Sequence, residues 1–183
     1  MFFDNVFMHV KGDQEENKVL LILRHAKSSW KNKNLNDHDR PLNKRGRKEA
    51  IKMGEYLRAM DLVPDAIITS SALRAIETTI LVCSQSSYNG VVEVNFSFHG
   101  GNTLSYIQAI STSNEDKNRL LIVGHNPTLE ELVSKLTNKV VRLPTCTLIQ
   151  IRLNIVNWNA ISLHSEFKPE IVEIWRPKKI ELG

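Results

Sequence analysis

Val19-Leu20-Leu21-Ile22-Leu23-Arg24-His25 reads as a buried strand that ends in a guanidinium and an imidazole. Five apolar residues in a row, without alternation, suit a strand covered on both faces. Ligands of open α/β sheets bind beyond the carboxyl ends of such strands, which is where Arg24 and His25 fall. The pattern returns at Leu120-Leu121-Ile122-Val123, which runs through Gly124 to His125 and into the helix-like Asn126-Pro127-Thr128-Leu129-Glu130-Glu131. Between the two, Asp65-Ala66-Ile67-Ile68 leads into Ser70-Ser71-Ala72-Leu73-Arg74-Ala75, placing Arg74 in the first turn of a helix. Two strand-end histidines and two arginines imply one shared anion site with a nucleophile.

Outward from these strands the chain alternates strand, loop and helix. Ala26 to Arg40 is polar and lacks a helical stripe, so it reads as a long loop over the strand end, and long loops in compact domains are usually functional. Asn43 is a plausible cap for a helix whose Ala50, Met53, Gly54, Leu57 and Met60 recur at helical spacing, ending near Asp61 to Pro64. A strand over Asp65 to Thr69 precedes a helix over Leu73 to Cys83, with Ala72, Ile76, Thr79, Ile80 and Cys83 toward the sheet. Val91 to Phe98 alternates as a strand, His99-Gly100-Gly101-Asn102 turns, and Leu104 to Ile110 is a short helix. Such alternation marks a mainly parallel sheet with helices on both faces, a three-layer α/β sandwich. Thr145 to Leu153 and Trp158 to Ser165 read as an antiparallel hairpin at the sheet edge, joined at Asn154 to Asn157. Residues 1–17 form a weakly apolar, then polar N-terminal extension, and residues 18–183 form one domain.

Composition narrows the function classes. A chain of 183 residues with 42% hydrophobic and 24% charged residues is an ordinary soluble domain, long enough for one good core. No run reaches the roughly 20 apolar residues of a membrane span, and the start lacks a secretory signal pattern, so the expected location is the cytoplasm. Cys83 and Cys146 fit no metal motif and read as buried reduced thiols. The net charge of +4 draws anions generally, and without aromatic interleaving or a known motif it does not point to nucleic acid.

A phosphoryl group brings up to two negative charges and three acceptor oxygens. The planar fork of arginine holds two of those oxygens at once and never loses its charge, so Arg24 and Arg74 are expected clamps. Helix N-termini add donors at the same sheet edge. A neutral His25 can attack phosphorus in line and form a phosphohistidine that water then cleaves. His125 can donate a hydrogen bond or a positive charge to the equatorial oxygens as negative charge shifts. This scheme needs no metal and no cofactor.

Leu23-Arg24-His25-Ala26-Lys27, Asp39-Arg40-Pro41-Leu42, Arg45-Gly46, Ser70 through Thr78 and Val123-Gly124-His125-Asn126-Pro127 together resemble the histidine phosphatase superfamily, and within it the SixA-type phosphohistidine phosphatases. The resemblance covers about residues 18 to 150, in the family's order, and implies a phosphoglycerate mutase-like fold. It further implies that His25 is the phosphorylated nucleophile, that Arg24, Arg74 and His125 are catalytic, and that Arg40 reaches the phosphate. Ala26 stands where the wider superfamily has glycine, as it does in the SixA-like branch. The substrate it implies is a phosphohistidine on a histidine phosphotransfer or phosphotransferase-system protein. Many phosphomonoesterases of the superfamily carry an acid that protonates the departing alkoxide. The corresponding stretch here, Phe96 to Asn102, has no Asp or Glu, and His99 is its one titratable group. Phosphoramidates, whose weaker phosphorus–nitrogen bond parts readily, are therefore favoured over alkyl phosphates.

Plainer readings stand beside these. A lone histidine is usually packed or solvated, Arg74 could pair with Glu77 or Glu49, and a turn histidine such as His99 is commonly just solvated. Lys44-Arg45 and Arg47-Lys48 read as a solvated helix face, and Trp30 as either a packing anchor or a substrate contact. His9, His38 and His164 show no partner, although the loop of His38 borders the expected pocket. The competing functions are a small-molecule phosphomonoesterase and a non-catalytic module that binds phosphorylated ligands.

Overall fold

Residues 17–163 and 169–180 are described by the computed structural model of the chain. The order is β1 (Val19–Arg24), α1 (Lys44–Ala59), β2 (Ala66–Ser70), α2 (Leu73–Ser86), β3 (Val92–Asn95), α3 (Thr103–Ser111), β4 (Arg119–Gly124), α4 (Thr128–Thr137), β5 (Leu148–Arg152) and β6 (Glu170–Trp175). They build one six-stranded sheet in the order β3-β2-β4-β1-β5-β6. The first four strands of that order run parallel, and β5 and β6 close the other edge antiparallel.

Two cores follow from the pleat of the central strands. Leu20, Ile22, Leu120 and Ile122 pack on one face with Tyr106 and Ile110 of α3 and with Leu129, Leu132 and Val133 of α4. Leu21, Leu23, Leu121 and Val123 point the other way, onto Ala50, Met53 and Leu57 of α1 and Ala75 and Val82 of α2. Successive strand side chains face opposite sides, so an unbroken apolar run is what this three-layer arrangement requires. Each such fully buried Leu or Ile contributes roughly 1.5–3 kcal/mol.

Three expectations need correction. Trp158 to Ala160 is a 3-10 turn instead of a strand, and the edge partner of β5 is β6. The fully buried Trp158 fills the core beside α3. Its indole N–H donates to Lys117 O at 2.7 Å and its backbone N–H to a Glu115 carboxylate at 2.7 Å, so no ladder is needed to satisfy them. β6 was missed because the Glu-Ile-Val-Glu-Ile-Trp stretch lies on a half-exposed edge, where alternation is weak. Residues 164 and 165 of the expected strand, residues 1–16 of the expected extension, and His9 and His164 lie outside the described residues. Second, Ile80 of α2 faces outward, while Ala75, Thr78, Thr79 and Val82 form the buried stripe. Third, β3 is shorter than expected and its continuation Phe96–Phe98 is a 3-10 turn. Among the described residues no helix is long and apolar enough to cross a membrane.

Candidate active site

The strand register sets the site. Leu23 pairs with Val123 and Arg24 with Gly124 across β1 and β4, and the His25 N–H continues the ladder to Gly124 O at 3.1 Å. His25 and His125 therefore emerge at the same level, with ring centroids 5.0 Å apart. Gly124 is required here, because a Cβ at that position would run into the Tyr106 hydroxyl. That hydroxyl accepts from the His125 backbone N–H and lies 3.3 Å from Phe98 O, to which it donates, bracing the end of β4 against the turn before His99. Burial pushes the Tyr106 phenol up, so it keeps its proton.

The loop after β1 is pinned at both stems. Ser29 N–H donates to Pro41 O at 2.8 Å and Asn43 N–H to Lys27 O at 3.0 Å. Asn43 caps α1 by accepting from Gly46 N–H at 2.9 Å, as its position suggests. A side chain at Gly46 would collide with the Lys27 backbone, so glycine lets this helix start close against the residues that follow the strand. The excursion between the stems carries Trp30, Asp37, His38 and Arg40 over the strand ends.

His25 is prepared as a nucleophile. Its Nδ1 lies 2.7 Å from Ala26 O, and since a carbonyl only accepts, Nδ1 holds the proton and Nε2 holds the lone pair. Arg74 Nε donates to that nitrogen at 3.3 Å. Burial, joined by the charges of Arg74, Arg24 and Arg40, pulls the imidazole down to about 4 despite the hydrogen bond to Ala26 O. It is neutral at pH 7. The expected titration follows: in 15N NMR the Nε2 signal of His25 stays at its unprotonated position from pH 8 down to about 5 and moves with a midpoint near 4. A midpoint near 6.5 would show that the ring is solvated and not held as described.

His125 is also neutral, brought to about 2 by burial, the neighbouring His25 and Arg74. It acts through a hydrogen bond, and a resident positive charge is not available to it in this state. Its Nε2 lies 2.7 Å from Ser70 Oγ, which also accepts from Ala72 N–H, so the Ser70 hydroxyl hydrogen is free to point at Nε2. That arrangement puts the His125 proton on Nδ1, a buried atom with no hydrogen-bond partner among the described residues. An acceptor oxygen of a phosphoryl group is what such a donor calls for.

The expected site residues converge. Arg74 is buried and uses Nη1 and Nη2 on Asp37, donating to its backbone O at 2.5 Å and its carboxylate at 3.0 Å. The anticipated partners Glu77 and Glu49 instead bind Arg47 and Arg45, exposed on α1. Arg40 is buried under Trp30, whose ring lies 3.4 Å from the guanidinium carbon, and its Nε is 3.2 Å from Asp37 Oδ1. Arg24 donates to Leu143 O at 2.7 Å while its charge acts on both His25 and Arg74. His99 reaches in from the turn after β3, its ring 5.6 Å from that of His125. His38, which showed no partner in the sequence, lies 3.0 Å from Ser71 Oγ and edge-on to His99.

Asp37 is the residue that sequence reasoning missed. It comes from the β1–α1 loop, three residues before Arg40. Burial pushes its carboxyl up, but the hydrogen bond from His99 and the charges of Arg74 and Arg40 outweigh this and hold it below its usual value. It is an ionised carboxylate that gathers two guanidinium groups and an imidazole. Ser70, which the sequence showed only as part of a motif, and Tyr106, which carried no sequence signal, support His125 as described.

A buried, neutral imidazole with an arginine donor on its lone pair and the charges of two further guanidinium groups acting on it can take a phosphoryl group. The family model of the histidine phosphatase superfamily (branch 1) matches residues 20–96, the segment that carries Arg24, His25, Arg40 and Arg74. Over that segment the chain is similar to the histidine phosphatase superfamily. Among curated relatives, an uncharacterised chloroplastic protein of Arabidopsis thaliana is 36% identical over 138 residues, 69% of this chain and 62% of that protein. The chain spans about 62 to 66% of the length of the first curated relatives it matches. Two solved SixA structures share the fold. The Agrobacterium tumefaciens putative phosphohistidine phosphatase SixA superposes with a TM-score of 0.74 at 22% identity, covering 88% of this chain and 99% of that one. The protein histidine phosphatase SixA complexed with tungstate gives 0.76 at 18% identity, covering 89% and 99%.

Proposed function

We propose that this chain is a phosphatase that works through a covalent phosphohistidine on His25 and acts on phosphohistidine carried by a protein. The observation that carries the reading is the state of His25, neutral, with its proton held on Nδ1 by Ala26 O and its Nε2 lone pair turned toward Arg74. Attack by Nε2 forms a nitrogen–phosphorus bond as the bond to the leaving group breaks. Arg24, Arg74 and Arg40 offset the charge of the phosphoryl oxygens, and Nδ1 of His125 supplies a neutral donor. Water then attacks the phosphohistidine, and the electrons of the breaking bond return to His25 Nε2.

Exposed apolar side chains on the site-bearing loops support a macromolecular substrate. Trp30 and Leu35 stand on the loop of Asp37 and Arg40, and Phe96 and Leu104 flank the turn of His99, with Trp30, Phe96 and Leu104 more than 60% exposed. A small metabolite needs no such surface outside its pocket, whereas a docked protein buries it. Within this proposal the partner is a histidine phosphotransfer or phosphotransferase-system protein of the cytoplasm.

The test is phosphate release from a phosphohistidine-bearing carrier protein and from p-nitrophenyl phosphate, measured in parallel. The expected result is faster release from the carrier protein by at least tenfold in kcat/KM. Faster release from the aryl phosphate would turn the assignment to a small-molecule phosphomonoesterase, and binding of the carrier with no release from either would make the chain a binding module.

A further inference from the structure

The site holds a pair of groups that phosphoryl transfer from a phosphoramidate does not call for, Asp37 and His99. His99 Nε2 lies 3.2 Å from Asp37 Oδ2, and the carboxylate is itself fixed by Arg74 Nη2 at 3.0 Å and Arg40 Nε at 3.2 Å. Because an ionised carboxylate only accepts, Nε2 carries one His99 proton, and Nδ1, with no hydrogen-bond partner among the described residues, is the position for the second proton that the acid would deliver. The ring is wedged edge-on between His38, at 5.0 Å and 88°, and His125, at 5.6 Å and 81°. Its side chain is 30% exposed, whereas His25 is a buried residue. His25 thus lies at the floor of the site and His99 at its mouth. A nucleophile attacking in line from the floor drives the leaving group toward the mouth.

We propose that His99, oriented by Asp37, protonates the leaving group, and that the site thereby also hydrolyses phosphate monoesters whose alkoxide cannot depart unprotonated. This rests on the reading of His25 as the phosphoryl acceptor. In the first step the bond between His25 Nε2 and phosphorus forms and the phosphorus–oxygen bond of the ester breaks. The proton on Nδ1 of the His99 imidazolium passes to the departing oxygen, and the alcohol leaves neutral. His99 keeps its Nε2 proton on Asp37 and now offers Nδ1 as a base. In the second step it takes a proton from water as the water oxygen attacks phosphorus, the nitrogen–phosphorus bond breaks, and phosphate and the imidazolium are regenerated. The neighbouring groups do not fit the role: both ring nitrogens of His38 are engaged, by Asp39 and Ser71. Asp37 is held ionised by His99 and the two arginines, and His125 is buried and neutral. Asp37 is a positioning residue in this scheme and His99 the catalytic acid, which answers the lack of Asp or Glu between Phe96 and Asn102.

The experiment is a leaving-group series of 2,4-dinitrophenyl, p-nitrophenyl, phenyl and ethyl phosphates, with trapping of phosphorylated His25, for the wild-type protein, His99→Gln, Asp37→Asn and Asp37→Glu. The wild type is expected to lose little kcat/KM as the leaving group becomes more basic. His99→Gln is expected to fall less than threefold on the dinitrophenyl ester and about 10²-fold or more on the ethyl ester, the usual span of general acid catalysis. Asp37→Asn should steepen the same dependence and raise KM, because it also releases the arginines, and Asp37→Glu should recover part of the slope. Parallel dependences for wild type and His99→Gln would overturn the dyad, as would a wild type that accepts the phosphoramidate but not ethyl phosphate. In both cases phosphorylated His25 is still trapped and the nucleophile assignment survives. If no phosphorylated His25 forms from any donor, that assignment and the dyad fall together.

Discussion

His25→Ala abolishes turnover on every substrate, with kcat lower by about 10⁴-fold or more, the scale seen when a covalent nucleophile is removed. The size of the effect follows from the surroundings of the ring. Of the two central imidazoles only His25 has an arginine donor, which can pass to the phosphoryl oxygens, on its unprotonated nitrogen: His125 Nε2 meets the Ser70 hydroxyl and its Nδ1 is assigned the proton. Acid-labile phosphate should appear on the wild-type protein after a rapid basic quench and be absent from the variant. The variant should still bind the phosphorylated carrier, since Arg24, Arg40 and Arg74 are retained. Retention of more than about a tenth of the activity would show that phosphoryl transfer goes directly to water.

Arg74→Gln is expected to cost about 10²–10³ in kcat/KM, the usual effect of losing one fixed transition-state donor. Arg74 serves two neighbours at once, through Nε on His25 and through both terminal nitrogens on Asp37. The variant therefore removes a charge from the phosphoryl site and unties the loop that brings Arg40 and His99's partner over it. Arg74→Lys should recover less than a tenth of the loss, because an ammonium cannot reach an imidazole and a carboxylate with separate, rigidly spaced donors. Steady-state kinetics on the carrier protein reads the loss. Equal activities for lysine and arginine would mean that charge alone is used and that the three contacts of this fork are incidental.

The parts of this site that rest on strands were legible in the sequence, and the parts that rest on loops were only half so. β1 and β4 are covered on both faces, so their apolar runs stand out, and the residues just beyond each run are displayed at the sheet edge. His25 and His125 could be found by that rule alone, and Arg74 by its place in the first turn of the helix after β2. Asp37 could not, because its place depends on where a long polar loop folds back, and nothing periodic in Ala26 to Arg40 encodes that. The cue that was present is local: Asp37 precedes Arg40 by one helical-turn spacing in a string of alternating charge. β6 was lost for the opposite reason, since a half-exposed edge strand carries too little hydrophobic contrast, and Trp158 looked like a strand residue because a large buried aromatic fits either setting.

The register between β1 and β4 has a bearing on how such a site can change. The separation of the two central imidazoles is measured out by rungs of backbone hydrogen bonds, from Val19 with Arg119 to Arg24 with Gly124, and not by any loop. One residue inserted in either strand would swing its terminal histidine to the opposite side of the sheet and leave every loop intact. Conversely, the segments holding Trp30, Asp37, Phe96 and His99 can be exchanged, lengthened or retuned without moving the rungs. Change in this architecture is thus directed to the loops, which carry both the recognition surface and the leaving-group acid proposed for the site, while the spacing of the two central imidazoles is held by the sheet.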